Sequence, residues 1–203
     1  MKISNKIIAI LLAVFFMPAV SMAQTKSGFG VEAGYAWIDT QAKENAQEIA
    51  NLSGETTTVS YDKADLAGRI FAYYDFNNQF GVQLGYFKTA SLDQTHTNAL
   101  GTATISYDAT GVDLAGVFKP NNSGFYAKAG IHQSKVNGAA SVTIGGDTFA
   151  LSAADSGSGY LAGIGFESPV DKNMSWTVGI TYYDSLGGLS DANATFVSVG
   201  LKY

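Results

Sequence analysis

No cysteine occurs anywhere in the 203 residues. That absence excludes a disulfide framework, a thiolate metal site and a cysteine nucleophile. It also removes the lipid-modified cysteine that would tether a lipoprotein, so any membrane attachment must come from the polypeptide itself. Proline is scarce too, at 3 residues, which leaves long stretches free to pair as strands. Basic runs are missing, and the formal charge is −5; removing Lys2 and Lys6 with a leader would take it to −7. Such a chain is a poor partner for nucleic acid. Beyond the first 23 residues, no window approaches the ~20 apolar residues of a spanning helix. If the rest of the chain crosses a membrane, it must do so as a closed barrel, because lipid cannot satisfy an open strand edge.

The sequence does hold 23 glycines, 11 tyrosines and 12 phenylalanines, a mix that suits strands with close backbone approaches. Residues 1–23 read as a secretory signal peptide. Lys2 and Lys6 make a positive start, Ile7 to Phe16 an apolar run, Pro18 breaks it, and Ser21-Met22-Ala23 offers small residues for cleavage. The mature chain is expected to begin near Gln24, with residues 24–203 as one domain.

That domain alternates with period two in segments of about ten residues, the length of a tilted membrane strand. Eight such segments are expected, at about 28–39, 65–76, 80–86, 110–118, 125–132, 160–167, 174–182 and 195–203. The connections after the second, fourth and sixth are short. Those after the first, third, fifth and seventh are longer and polar. Short periplasmic turns facing longer external loops characterise an outer-membrane barrel. The predicted fold is therefore all-β, an eight-stranded antiparallel up-and-down transmembrane β-barrel in a bacterial outer membrane, acting as a monomer.

Two features orient the wall. On the apolar parity, Phe29, Phe76, Phe80, Phe118, Phe125, Phe166, Trp176 and Tyr203 cluster at the short-turn end, and Tyr35, Trp37, Tyr86, Tyr160 and Tyr182 at the other. Two aromatic rings mark the headgroup levels of a lipid-facing surface. The opposite parity carries Glu32, Arg69, Asp113, Lys128, Glu167 and Lys202, three of each sign, plus Gln83. An eight-stranded interior is only wide enough for side chains to fill it, and charges buried there need partners. A salt-bridged plug is expected rather than an open channel. A soluble barrel with the apolar parity turned inward leaves unexplained the charges shared across six strands, both aromatic rings and the aromatic final residue.

Gly124-Phe125-Tyr126-Ala127-Lys128-Ala129-Gly130-Ile131-His132 resembles the fifth-strand pattern of the OmpA/OmpX-like outer-membrane β-barrel family. The ending Phe196 to Tyr203 resembles the C-terminal signal, here Val197, Val199, Leu201 and Tyr203, by which the barrel-insertion machinery recognises such chains. The resemblance covers the chain from about Gly28 onward and is specific for architecture, not activity. It implies contact with outer-membrane lipid and lipopolysaccharide. Nothing follows Tyr203, so the peptidoglycan-binding domain of longer members is not expected and cell-wall anchoring is not implied.

Catalytic groups are sparse. His96 lies in a long link near Asp93, and His132 sits on the interior parity with Ser134 two residues on. A His-Ser-carboxylate set can make an esterase of the kind found among lipid-modifying outer-membrane enzymes, but no such pair is recognisable here, and no enzyme is expected. Loop carboxylates Asp147, Asp155, Asp184 and Asp191 read as a solvated acidic surface, and no metal-binding spacing appears; no cofactor is expected. Gly157-Ser158-Gly159 and Gly163-Ile164-Gly165 lack the helix that a phosphate loop requires. They read as relief of crowding on a narrow inner wall.

Specific function is left to the loops. Thr40 to Ala64 is polar, with a candidate helical turn at Ala46–Leu52. Val142 and Ile144, then Phe149 and Leu151, alternate around Gly145-Gly146-Asp147, which predicts a hairpin extending the wall beyond the membrane. Ile105 and Tyr107 predict a similar extension. Protruding strands with an exposed edge can capture an extracellular partner. The expected function is a non-enzymatic envelope protein acting in structure or surface interaction. The alternatives are a small-solute pore and, further off, a lipid-modifying enzyme.

Overall fold

A computed structural model describes residues 26–39, 58–61, 64–98, 101–120 and 123–203. The expected leader at 1–23 and the candidate turn at Ala46–Leu52 lie outside the described residues. The strands are β1 (Lys26–Asp39), β2 (Thr58–Tyr61), β3 (Asp65–Asp75), β4 (Phe80–Thr89), β5 (Leu92–Asn98), β6 (Gly101–Phe118), β7 (Phe125–Ile144), β8 (Asp147–Pro169), β9 (Ser175–Tyr183) and β10 (Asn193–Lys202). All pairings are antiparallel. β1 pairs with both β3 and β10, and β6 with both β4 and β7, so β1, β3, β4, β6, β7, β8, β9 and β10 close into a ring. These are the eight strands expected from the alternation.

The register fixes the barrel's size. Cross-strand partners lead from Lys26 to Asp75, Gly81, Val117, Lys128, Gly163, Thr181 and Phe196, and return to the first strand at Ala36. One circuit thus advances ten residues, from position 26 to position 36. For eight strands, that shear sets a tilt of about 40° and an interior that side chains can fill.

The apolar parity faces outward. Phe29, Ile70 and Val199 are 73%, 59% and 62% exposed, whereas Arg69 and Asp113 are each 2% exposed. A soluble protein would not leave so large a continuous apolar belt in water; lipid removes that cost.

The long-loop end departs from the expected loops. Lys88 pairs with Thr110 but Leu92 with Tyr107, so four steps on one strand face three on the other. This β-bulge reverses the parity, and β5 continues the wall where a polar link was expected. β7 and β8 run on to a two-residue turn at Gly145 and Gly146, with φ of 60° and 97°, values that glycine adopts freely and that suit a tight hairpin. The result is a wing of β2, β5 and the upper halves of β6, β7 and β8, rising beyond the end of β9, whose last residue Tyr183 pairs with Leu161.

Candidate functional site: the barrel interior and its mouth

Strand parity delivers the interior charges to two layers. In the middle layer, the Arg69 guanidinium donates from Nε to Asp113 Oδ2 at 2.9 Å and from Nη2 to Asp113 Oδ1 at 2.7 Å. Its Nη1 donates to Glu32 Oε2 and to Gln83 Oε1, both at 3.2 Å. Lys128 Nζ stands 3.9 Å from Glu32 Oε2, and the Tyr183 hydroxyl donates to Asp113 Oδ2 at 3.5 Å. The planar fork of arginine suits this bidentate grip. Gly85 faces Arg69 from β4, where a Cβ would come within 2.6 Å of Nε, so glycine makes room for the guanidinium.

The lower layer lies at the short-turn end. Lys202 Nζ is 3.1 Å from Asp75 Oδ2 and 3.3 Å from Glu167 Oε2, and sits 3.8 Å from the centroid of the Tyr73 ring. Lys119 Nζ is 3.0 Å from Asp75 Oδ2 and 3.1 Å from Glu167 Oε2. Burial alone would lower the pKa of Lys119, which lies in the turn past β6, but Glu167 and Asp75 outweigh it and hold the ammonium above the usual lysine value. Asp75 and Lys119 escaped the sequence reading. Each continues an interior parity already recognised, six residues beyond Arg69 and Asp113, and was passed over because it falls at a strand end.

Above the charges the interior turns apolar. Phe87, Leu161, Tyr183, Ala194 and Phe196 form a cluster closed by Leu186, which is wholly buried. Leu186 opens a single 3₁₀ turn, Leu186–Gly188, in the link between β9 and β10. That link, expected as a polar external loop, folds inward instead. Its hold is specific: His132 Nε2–H donates to the Asp184 carbonyl at 2.7 Å, and the Gly187 N–H donates to Ser134 Oγ at 2.8 Å. A Cβ on Gly157 would collide with the Gly188 backbone, and one on Gly159 with the Asp184 carbonyl. These glycines therefore admit the plug. One apolar residue between Ser185 and two glycines was the signal in the sequence, too short for periodicity to detect.

His132 is thus a clamp on the plug, stacked edge-on against Phe87 and Tyr183. His96 lies on β5, away from it in the wing. Among the described residues, no group of three or more His, Cys, Asp or Glu side chains is placed to hold a metal ion. Val197, Val199, Leu201 and Tyr203 form one exposed outer row.

The wing has two unlike faces. Val142, Ile144, Phe149 and Leu151 stand exposed on the side continuous with the barrel interior. The outer side carries hydroxyls paired across strands, such as Thr143 with Thr148 at 3.0 Å and Thr97 with Thr102 at 3.4 Å. β8 pairs with β9 only over Leu161–Pro169. Among the described residues, the stretch 147–156 therefore has a strand on one side alone.

A family model described as an outer membrane protein beta-barrel domain matches residues 7–203. Among solved structures, the chain is similar in fold to Ail, the attachment invasion locus protein of Yersinia pestis. The identity is 17% and the TM-score 0.52, over 90% of this chain and 99% of that one. Neisserial surface protein A aligns at 18% identity and TM-score 0.40, over 88% and 97% of the two chains. OprG from Pseudomonas aeruginosa aligns at 12% and 0.43, over 89% and 98%. No curated protein matches the sequence.

Proposed function

The chain belongs to the outer membrane protein beta-barrel domain family and resides in the bacterial outer membrane, and from that premise we propose that it is a closed, non-enzymatic barrel whose work is done by its extracellular wing. The observation that carries this reading is the open edge of β8 at 147–156 beside exposed Phe149 and Leu151. Unpaired backbone N–H and C=O groups can accept an extended polypeptide as a further strand, and adjacent apolar side chains add contact area.

The interior favours this reading over a small-solute pore. Two layers of ion pairs and an apolar plug fill the lumen, and breaking a buried pair is costly. His132 is engaged in holding Asp184, which favours a structural role over a hydrolytic one. The outer row Val197, Val199, Leu201 and Tyr203 we assign to recognition by the barrel-insertion machinery, and residues 1–23 to a removable leader, leaving a monomeric barrel from about Gln24.

The test replaces residues 139–152 by a two-residue Asn-Gly turn. The reading predicts an unchanged amount of barrel in the outer membrane and loss of cell attachment to polypeptide-coated surfaces. Attachment equal to that of the full-length protein would overturn it.

A further inference from the structure

On the outer wall, Lys88 pairs with Thr110, and Thr110 with Lys135. The two lysines therefore share one cross-strand row, with backbones about 10 Å apart, two inter-strand spacings. Both side chains are exposed. Their height is set by the aromatic girdle: Lys88 lies two residues beyond Tyr86, and Lys135 four beyond Ile131, whose cross-strand partner is Tyr160. Girdle aromatics sit at the headgroup level, so both ammonium groups stand just above it.

The remaining cations make this pair distinctive. Among the described residues, Lys26, Lys119 and Lys172 lie at the periplasmic end, and Arg69, Lys128 and Lys202 point inward. Lys88 and Lys135 are the described cations on the outer surface of the extracellular half. Directly beyond them a hollow of about 490 Å³ opens on the same face, lined by Ser91, Ser106, Asp108, Lys135, Asn137 and Ser152 among others. Asn137 Nδ2 donates to Asp108 Oδ2 at 3.0 Å and the Ser91 hydroxyl to Asp93 Oδ1 at 3.4 Å, leaving the other Asp108 oxygen and the hydroxyls of Ser106 and Ser152 to meet sugar hydroxyls.

We propose that this row and hollow form a binding site for the phosphorylated sugar headgroup of an outer-leaflet glycolipid. Lys88 and Lys135 close on the phosphate over the Thr110 hydroxyl, and the hollow takes the sugar next to it. Charge complementarity and height select the occupant: a lipid-borne phosphate at the membrane rim meets two ammonium groups there, whereas the hydroxyl-lined face above offers nothing to an acyl chain. The hollow shares Ser152 with the stretch that carries the wing's open edge, but Lys88, Lys135 and Asn137 lie on β4 and β7. Substitutions there leave that edge and the apolar face in place, so the two readings can fail independently.

The probe is purified barrel in nanodiscs containing bis-phosphorylated lipid A, dephosphorylated lipid A, or phosphatidylglycerol as an anionic lipid without the sugar. Retained lipid is counted by native mass spectrometry. The wild-type protein should retain phosphorylated lipid A in preference to both others. An ammonium near an anionic surface is worth about a fivefold change in affinity, so the double variant Lys88→Gln/Lys135→Gln should bind roughly thirtyfold more weakly. Lys172→Gln, at the opposite rim, should bind as the wild type does. A third variant, Asn137→Leu, should weaken lipid A without changing phosphatidylglycerol. Equal retention of the phosphorylated and dephosphorylated lipids, or an unaffected double variant, would overturn the proposal. Equal retention of phosphatidylglycerol and phosphorylated lipid A would overturn the sugar half of it.

Discussion

Arg69 and Asp113 come from strands not adjacent in the ring, separated by β4, and meet inside the barrel through two hydrogen bonds of 2.9 and 2.7 Å. The glycine between them, Gly85, pairs with Phe71 on β3 and Asp113 on β6. The pair thus reaches across a strand whose side chain is missing where the guanidinium passes.

Removing one member of this network should cost more than removing both. Arg69→Met leaves Asp113 and Glu32 buried without their main partner and should lower stability by about 3–5 kcal/mol. Arg69→Met combined with Asp113→Leu should recover much of that loss. Arg69→Lys should not substitute, because an ammonium cannot make the two-pronged contact. Urea unfolding in lipid vesicles, followed by tryptophan fluorescence, measures all three; a single Arg69→Met variant as stable as the wild type would refute the role assigned to the layer.

The outward assignment has its own test. Val199, 62% exposed and paired with Ala33 and Val178, faces lipid midway along the wall. Val199→Arg should destabilise by about 2–4 kcal/mol, the cost of a cation near the bilayer midplane. Phe149→Arg, on the water-exposed wing, should change stability by less than about 0.5 kcal/mol. The same vesicle unfolding distinguishes them, and equal effects would put both residues in one solvent.

The plug can be displaced from a distance. Gly157→Val drives a side chain into the Gly188 backbone and should free Leu186 from the mouth. With no native cysteine, Ala194→Cys reports on this cleanly, since Ala194 is 4% exposed beneath the plug. Its reaction with a water-soluble maleimide should accelerate about tenfold in the Gly157→Val background, the factor that ~1.4 kcal/mol of lost plug stability gives. An unchanged rate would mean that the link does not seal the mouth.

How far the sequence revealed this molecule depended on repetition. The ring strands were legible because each repeats period two over some ten residues, and because Glu32, Arg69 and Asp113 interrupt one parity alone. β5 was not, since Leu92-Asp93-Gln94-Thr95-His96-Thr97-Asn98 is polar on both faces and its only signal is Leu92 opposite two threonines. The bulge before it also reverses the parity that would have linked it to β4. The plug was hidden for a different reason: Leu186 is buried by a single turn, and one residue has no period. Six of the interior charges were legible in sign, but Asp75 and Lys119 at the strand ends were not. The pairing was not legible either, because shear decides which residues share a level and shear belongs to the closed ring.

The most direct measurement of the central claim is conductance. Purified, refolded protein inserted into planar bilayers at neutral pH should produce no stable unitary current, because ion pairs and the Leu186 plug fill the lumen. Reproducible single-channel steps from the wild-type protein would contradict the closed barrel and return the pore to first place.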